Sequence, residues 1–556
     1  MDRTSSHGLP SLLSRFEVHA KKAVAYAQIE AKRILDRQAR AERLRAIESM
    51  NAIEPLSQEP LAKCVLIDGM FDNPNLWLRF SLIRAALGLK HAREIGLVGP
   101  HNTKNAILTF KKFGIPDSDI VRVDAVNQDH AAARHIVHEL LAQTRTAADI
   151  LNWQMPHGYP TTTTYDILLK RQRKAQVDLT DPLLEDHLLE IVEALQSAQT
   201  ILDTYQPDLL LLSHAITPRD SALAWLGQLR GIDSIIMYGN YGTPRYWRVH
   251  NATDFTHSAL YPTLSELDAL PSEMIERLRR CGAEHLERRF QGQTNDIGAT
   301  YAFQKNIAKV SRQELANVYG WTTDRPVVTV YASNWFDYPH GCGMSLFLDF
   351  LDWIQTTLDC AKANDDVYWI FKPHPCDKWY GGVTLKDLMP ESIPPHMILA
   401  HEDWNALDVM NMTDAIVTYH GTAGIEYATI EKPVLVADRG WYDQAGFVLR
   451  PDSRTQYQEF LSQPWWNEID VKTAKARADV FAGLYFGVPE WQDDFMMKDD
   501  SQSQNLMKHI PDLLGNNTAA LATELGTIQR WYFTSHGQYH TYKMFSASSF
   551  KSSAAT

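Results

Sequence analysis

The segment PDLLLLSHAITPRDSALAWLGQLRGIDSIIMYGN, residues 207–240, restricts the fold more than any other feature of the chain. Four consecutive leucines, Leu209 to Leu212, form a short apolar run, the pattern of a strand buried on both faces. A loop, SHAITPRD, follows, then a helix that stops at Gly231, then a second apolar strand. Two strands joined through a helix pair in parallel, so this βαβ unit commits its part of the chain to a parallel α/β sheet. The same alternation starts near Ala62 with KCVLIDGMFDNP and starts again with RPVVTVYASNWFDYPHGCG. Each opening is a strand followed by a loop containing Phe-Asp-x-Pro, at Phe71–Pro74 and at Phe336–Pro339. At 556 residues the chain exceeds what one hydrophobic core supports. Two Rossmann-like halves are therefore expected.

The rest of the chain frames these halves. Residues 15–50 lack Gly and Pro and are rich in Ala, Glu, Lys, Arg and Leu, which predicts a long helix. From Arg15 to Glu48 it carries nine Lys or Arg against five Asp or Glu, a local excess of positive charge. It is a packing helix or a basic amphipathic helix at an anionic membrane surface or a membrane assembly. Residues beyond Pro464 read as helical and aromatic, with a Ser-rich end that fits disorder. The expected division is 1–58 as an N-terminal helical extension, 59–320 and 321–465 as two Rossmann-like domains, and 466–556 as a helical tail.

Charge and cysteine use exclude several classes. A net charge of −13 opposes bulk nucleic-acid binding, which needs a basic footprint. The five cysteines are scattered without a CxxC pair, so neither a zinc site nor a disulfide framework is expected. No secretory leader is read at the start, and no apolar run approaches the ~18 residues that span a bilayer. A cytoplasmic protein is expected.

Ligands of open parallel sheets sit beyond the carboxyl ends of strands, so residues just after apolar runs carry the chemistry. In WIFKPHPCDKW, Pro373 and Pro375 end a strand and stiffen its exit, presenting Lys372 and His374 to an anion. In VTYHGTAGIEYATIEKPVLVAD, a strand turns at His420-Gly421-Thr422 into a short helix. Gly421 and Gly424 would admit close backbone approach, Thr422 offers a hydroxyl, and Glu426 lies one turn in, placed for a sugar hydroxyl. In the front half, His214 ends the Leu209–Leu212 run, and Asp68 and Asp72 follow CVLI. Asn334 and Asp337 hold the matching loop of the back half. Asp68, Asp72 and His214, in that order, are candidates for the base that deprotonates an acceptor. The literal DxD, Asp117-Ser118-Asp119, reads as a turn or helix cap in the front half, so no metal and no cofactor are expected.

FKPHP followed by HGTAGIEY and KPVLVAD resembles the bacterial capsule polysaccharide biosynthesis glycosyltransferases, a group that includes Kdo transferases and is related in pattern to polysialyltransferases. The SHAITPRD and SNWFD segments are similar to that group as well. The resemblance implies a GT-B-like α/β fold, with two Rossmann-like domains facing a central cleft and helical extensions at both ends. It implies a nucleotide-sugar donor, commonly a CMP-sugar such as CMP-Kdo, and a polysaccharide or glycolipid acceptor. His374 and Thr422 would contact the donor phosphate and Glu426 the ribose. The hydroxyl motif here is His-Gly-Thr rather than a run of serines, a departure that bears on the cytidine assignment. The alternatives are a CDP-polyol phosphotransferase of teichoic-acid type, a sugar-nucleotide epimerase and a non-catalytic membrane-assembly scaffold.

Overall fold

A computed structural model describes residues 37–100, 103–126, 128–238, 245–252, 262–294, 297–304, 308–375, 383–486, 506–534 and 538–539. The first sheet contains β1 (Cys64–Asp68), β2 (Arg93–Val98), β3 (Ile120–Arg122), β4 (Leu209–Leu212), β5 (Asp233–Tyr238), β6 (Arg245–Val249) and β12 (Gln538–Tyr539). The second contains β7 (Val327–Tyr331), β8 (Tyr368–Lys372), β9 (Met397–Leu399), β10 (Ala415–Thr418) and β11 (Val434–Val436). Their orders are β12-β6-β5-β4-β1-β2-β3 and β11-β10-β7-β8-β9. Pairing is parallel throughout the second sheet, and in the first only β5–β6 and β6–β12 run antiparallel.

In each half the first strand lies inside the sheet, between strands of later origin: β1 between β2 and β4, and β7 between β8 and β10. Strand order reverses there, and a crevice opens beyond the carboxyl ends. The central strands are buried on both faces, as their unbroken Val, Leu and Ile content requires. The βαβ unit read from sequence is present. Its helix, Pro218–Leu229, starts with a Thr217–Asp220 capping box, and the turn at Gly231 uses a φ of 70°.

The carboxyl-terminal part of the chain is built into the first half. Ile510, Leu514, Leu525, Ile528 and Trp531 share a core with Trp77, Phe80 and Phe110, and β12 pairs with β6. Such a return path is invisible to local periodicity, because the partners lie hundreds of positions apart. The basic helix is described only from residue 37, where Arg43 pairs with Asp72 at 2.5 Å; the rest of that expected helix and the Ser-rich end lie outside the described residues.

Two long helices, Ser272–Phe290 and Val471–Phe486, pack against each other. They touch through glycines. A Cβ on Gly282 would lie 2.7 Å from the Gly483 amide nitrogen, and one on Gly483 would collide with the Leu278 carbonyl oxygen. Gly483→Ala is therefore expected to push the helices apart and destabilise the protein by about 1–3 kcal/mol. Gly526→Ala, in a helix position with open space, should instead stabilise by about 0.5–1 kcal/mol. Thermal melts read both signs; a gain at Gly483 would contradict the close crossing.

The halves also meet through the loop after β7. His340 Nδ1 lies 2.7 Å from Asp166 Oδ1, and the Gly341 amide donates to Asp166 Oδ2 at 2.8 Å. Tyr165 donates to Asp349 at 2.6 Å, and Lys170 to Asp337 at 2.8 Å.

Candidate functional site

The register places Lys372 beside Tyr331 and Tyr331 beside Thr418, so β8, β7 and β10 end level. Beyond them lies a cavity of about 660 Å³. Lys372, His374, Gly421, Thr422 and Glu426 line it, with Arg289 from the Ser272–Phe290 helix. Tyr301, Phe303, Tyr319, Leu399 and Trp404 line an aromatic and aliphatic part. Charged and planar apolar surfaces in one pocket suit a phosphorylated aromatic ligand.

Lys372 is 7% exposed, and among the described residues no carboxylate pairs with it. Burial alone lowers its pKa to about 8, below its ordinary 10.5. A buried ammonium is costly unless an anion meets it, and among the described residues no carboxylate does.

The turn after β10 has a different internal logic from the one sequence suggested. The Gly421 amide donates to Thr418 Oγ1 at 3.3 Å, and Tyr442 donates its hydroxyl to the Gly421 carbonyl at 2.6 Å. Gly424 is bare because the Tyr442 hydroxyl occupies the place of a Cβ. Thus Gly421 reaches the cavity, while Gly424 makes room for the brace behind it. His420 is buried among Phe350, Tyr419 and Trp441, with ring centroids at 6.2, 4.7 and 5.1 Å, and does not line the cavity. Asn334 is also buried outside it, its carbonyl accepting from the Asp337 amide at 3.2 Å.

Arg289 is the residue that sequence reading missed. Its Nε donates to Glu426 Oε1 at 2.6 Å and its Nη2 to Thr422 Oγ1 at 3.0 Å. Both members of the ion pair are buried, at 3% and 7% side-chain exposure. No local signal marks it. It is one of several arginines on a charged helix between the halves, and only packing selects it.

In the front half the three candidates occupy different settings. Asp68 is fully buried; Oδ1 accepts from the Met70 amide at 2.7 Å, and Oδ2 accepts from the Ser213 amide at 3.0 Å and from its hydroxyl. Burial raises its pKa against those hydrogen bonds. Asp72 accepts from Arg43, from Trp77 Nε1 at 2.9 Å and from Asn105 at 2.9 Å, fastening the basic helix to the first domain. His214 lies against Phe71, with centroids 4.8 Å apart, and its buried Nδ1 has no hydrogen-bond partner among the described residues. Burial lowers its pKa despite the opposing pull of Asp68, leaving a neutral imidazole at pH 7. The next residues, Ala215 and Ile216, line a small gap between the halves with Asp166, Tyr338 and Gly341.

Among the described residues, no three His, Cys, Asp or Glu side chains are grouped to hold a metal ion. Asp117 pairs with Lys111 and Asp119 with Arg93. No described helix is long and apolar enough to cross a membrane.

Two α/β domains, with a cavity beyond the carboxyl edge of the second sheet, make a GT-B-like fold, the class expected from the sequence. Residues 347–460 match the family described as capsule polysaccharide biosynthesis protein, a span that contains FKPHP and HGTAGIEY. The resemblance read from those motifs holds there. Among solved structures, the chain is similar to the beta Kdo 2,4 transferase of Thermosulfurimonas dismutans KpsC, with 13% identity over 55% of this chain and 87% of that one, at a TM-score of 0.34. The beta Kdo 2,7 transferase of the same protein gives 13% identity over 58% and 89%, at 0.30. UDP-GlcNAc 2-epimerase from Neisseria meningitidis gives 11% identity over 82% and 99%, at 0.22. Among curated proteins there is no significant sequence match.

Proposed function

We propose that the chain transfers a sugar from a nucleotide-sugar, with a CMP-sugar such as CMP-Kdo as the best-fitting donor, to a capsule or other surface polysaccharide or glycolipid. Lys372 carries this reading. Arg289 pairs with Glu426, and among the described residues Lys372 is a buried cation of the cavity with no carboxylate paired to it. One such charge suits the single negative charge of a sugar–phosphate–nucleoside diester. Lys372 and His374 would stabilise the phosphate as it leaves, and Thr422 would donate its hydroxyl to it. Glu426 would accept from the ribose, and the aromatic part of the cavity would cover the base. The attacking hydroxyl would give its proton to a group of the front half, His214 or Asp68. A cytoplasmic site with the basic helix against the inner face of the membrane is supported by the charge excess of residues 15–48 and by the attachment of that helix through Arg43 and Asp72.

Thermal-shift titration with CMP, CDP, UMP, UDP and GDP tests the donor. A ligand at about 100 times its dissociation constant adds roughly 2.7 kcal/mol, and CMP should give the largest shift. Equal response to all five, or to none, would contradict the reading. His374→Ala is expected to remove transfer while leaving the melting temperature nearly unchanged. A large loss of stability with CMP affinity intact would mark His374 as structural.

A further inference from the structure

We infer that Arg289 is a positioning residue of the donor site: it holds Glu426 in the orientation that receives the ribose. The inference rests on the nucleotide reading above and names a residue outside both sequence motifs and outside the matched family segment.

Three contacts fix the guanidinium. Its Nε donates to Glu426 Oε1, its Nη2 donates to Thr422 Oγ1, and the Phe486 ring lies 5.0 Å from its central carbon. Phe486 is itself stacked on His285, at 4.7 Å and 6°. Arg289 and His285 belong to one crossing helix and Phe486 ends the other, so the close glycine contact sets the guanidinium's position. A planar fork held on three sides has little freedom to follow a moving carboxylate.

The consequence is electrostatic and geometric. Glu426 and Lys372 line one cavity, and Arg289 is the cation paired with Glu426. With Arg289 present, one oxygen of Glu426 is held and the carboxylate plane is set. Lys372 is then left for the phosphate. The second arm, to Thr422, orders the hydroxyl that faces the same phosphate. One side chain thus orders the ribose contact and the phosphate contact together.

Calorimetric titration of cytidine 5′-monophosphate and its 2′,3′-dideoxy analogue separates positioning from bulk stability. The wild type should prefer the ribonucleotide by about ten- to a hundredfold, the scale of a hydrogen bond to a charged group. Glu426→Gln and Arg289→Met should both lose most of that preference, and Arg289→Lys, which keeps the ion pair without the second arm, should retain part of it. The Arg289→Met/Glu426→Gln double variant, which leaves no unpaired buried charge, should discriminate no worse than Glu426→Gln alone. Undiminished preference in Arg289→Met, or equal weakening of both ligands with the ratio kept, would overturn the assignment. If Arg289→Met does not fold, a double variant that discriminates worse than Glu426→Gln alone would do the same. Failure of the wild type to bind either nucleotide would overturn the donor reading, and this inference with it.

Discussion

Lys372→Met is expected to weaken donor binding by about 2–5 kcal/mol, the range for removing one partner of a buried charged contact. The same change should leave stability unchanged or raise it. Folding buries this ammonium without a carboxylate partner among the described residues, and a methionine of similar length carries no such desolvation cost. Loss of function with gain of stability is the signature of a group kept for its ligand. A lysine whose stem merely packs would show the opposite. The pH dependence follows from the same burial. The folded pKa, about 8, lies below the ordinary 10.5. The unfolded state therefore binds more protons between those values, and this group's contribution to stability rises with pH across that window. Donor affinity should move the other way. It should be flat below about pH 8 and fall by up to about tenfold per pH unit above it, as the site loses its charge before the ligand arrives. A donor whose own charge is constant over that range keeps the test clean.

His214→Gln is expected to lower turnover by about 10²–10⁴-fold, the usual contribution of a general base, with CMP affinity unchanged. Its imidazole is held below its ordinary pKa by burial, so the basic form is present at neutral pH and the rate should fall on the acid side. Asp68, the first choice from sequence, is spoken for by the Met70 and Ser213 amides and the Ser213 hydroxyl. Asp68→Asn should cost about 1–3 kcal/mol of stability, because those donors lose a charged acceptor. Asp72→Asn should release the basic helix with little effect on turnover, since its partners are Arg43, Trp77 and Asn105. A large rate loss in Asp68→Asn at full stability, with His214→Gln active, would return the base to Asp68.

The features legible in the sequence were those encoded within one strand and its exit. Leu209–Leu212 could only be a buried strand, and the helix and strand after it followed from local signals at Pro218 and Gly231. Lys372 and His374 were visible because two prolines fix the backbone on either side of the histidine. Thr422 and Glu426 followed from a turn-and-helix pattern. What escaped reading depends on partners far away in sequence. Arg289 meets Glu426 across 137 positions. Gly424 reads as a ligand-approach glycine until Tyr442 is seen to fill the space beside it. Asp72 and Asp337 share a Phe-Asp-x-Pro loop, yet each closes an ion pair, with Arg43 and Lys170. The tail's return to the first sheet is of the same kind, a long-range pairing that local composition cannot carry.

The most direct test of the central claim is a crystal structure of the protein with CMP bound. The account expects the phosphate within about 3 Å of Lys372 Nζ, the Thr422 hydroxyl donating to it, and the ribose hydroxyls facing Glu426. Nucleotide bound elsewhere, or bound in this cavity with its phosphate turned away from Lys372, would contradict it.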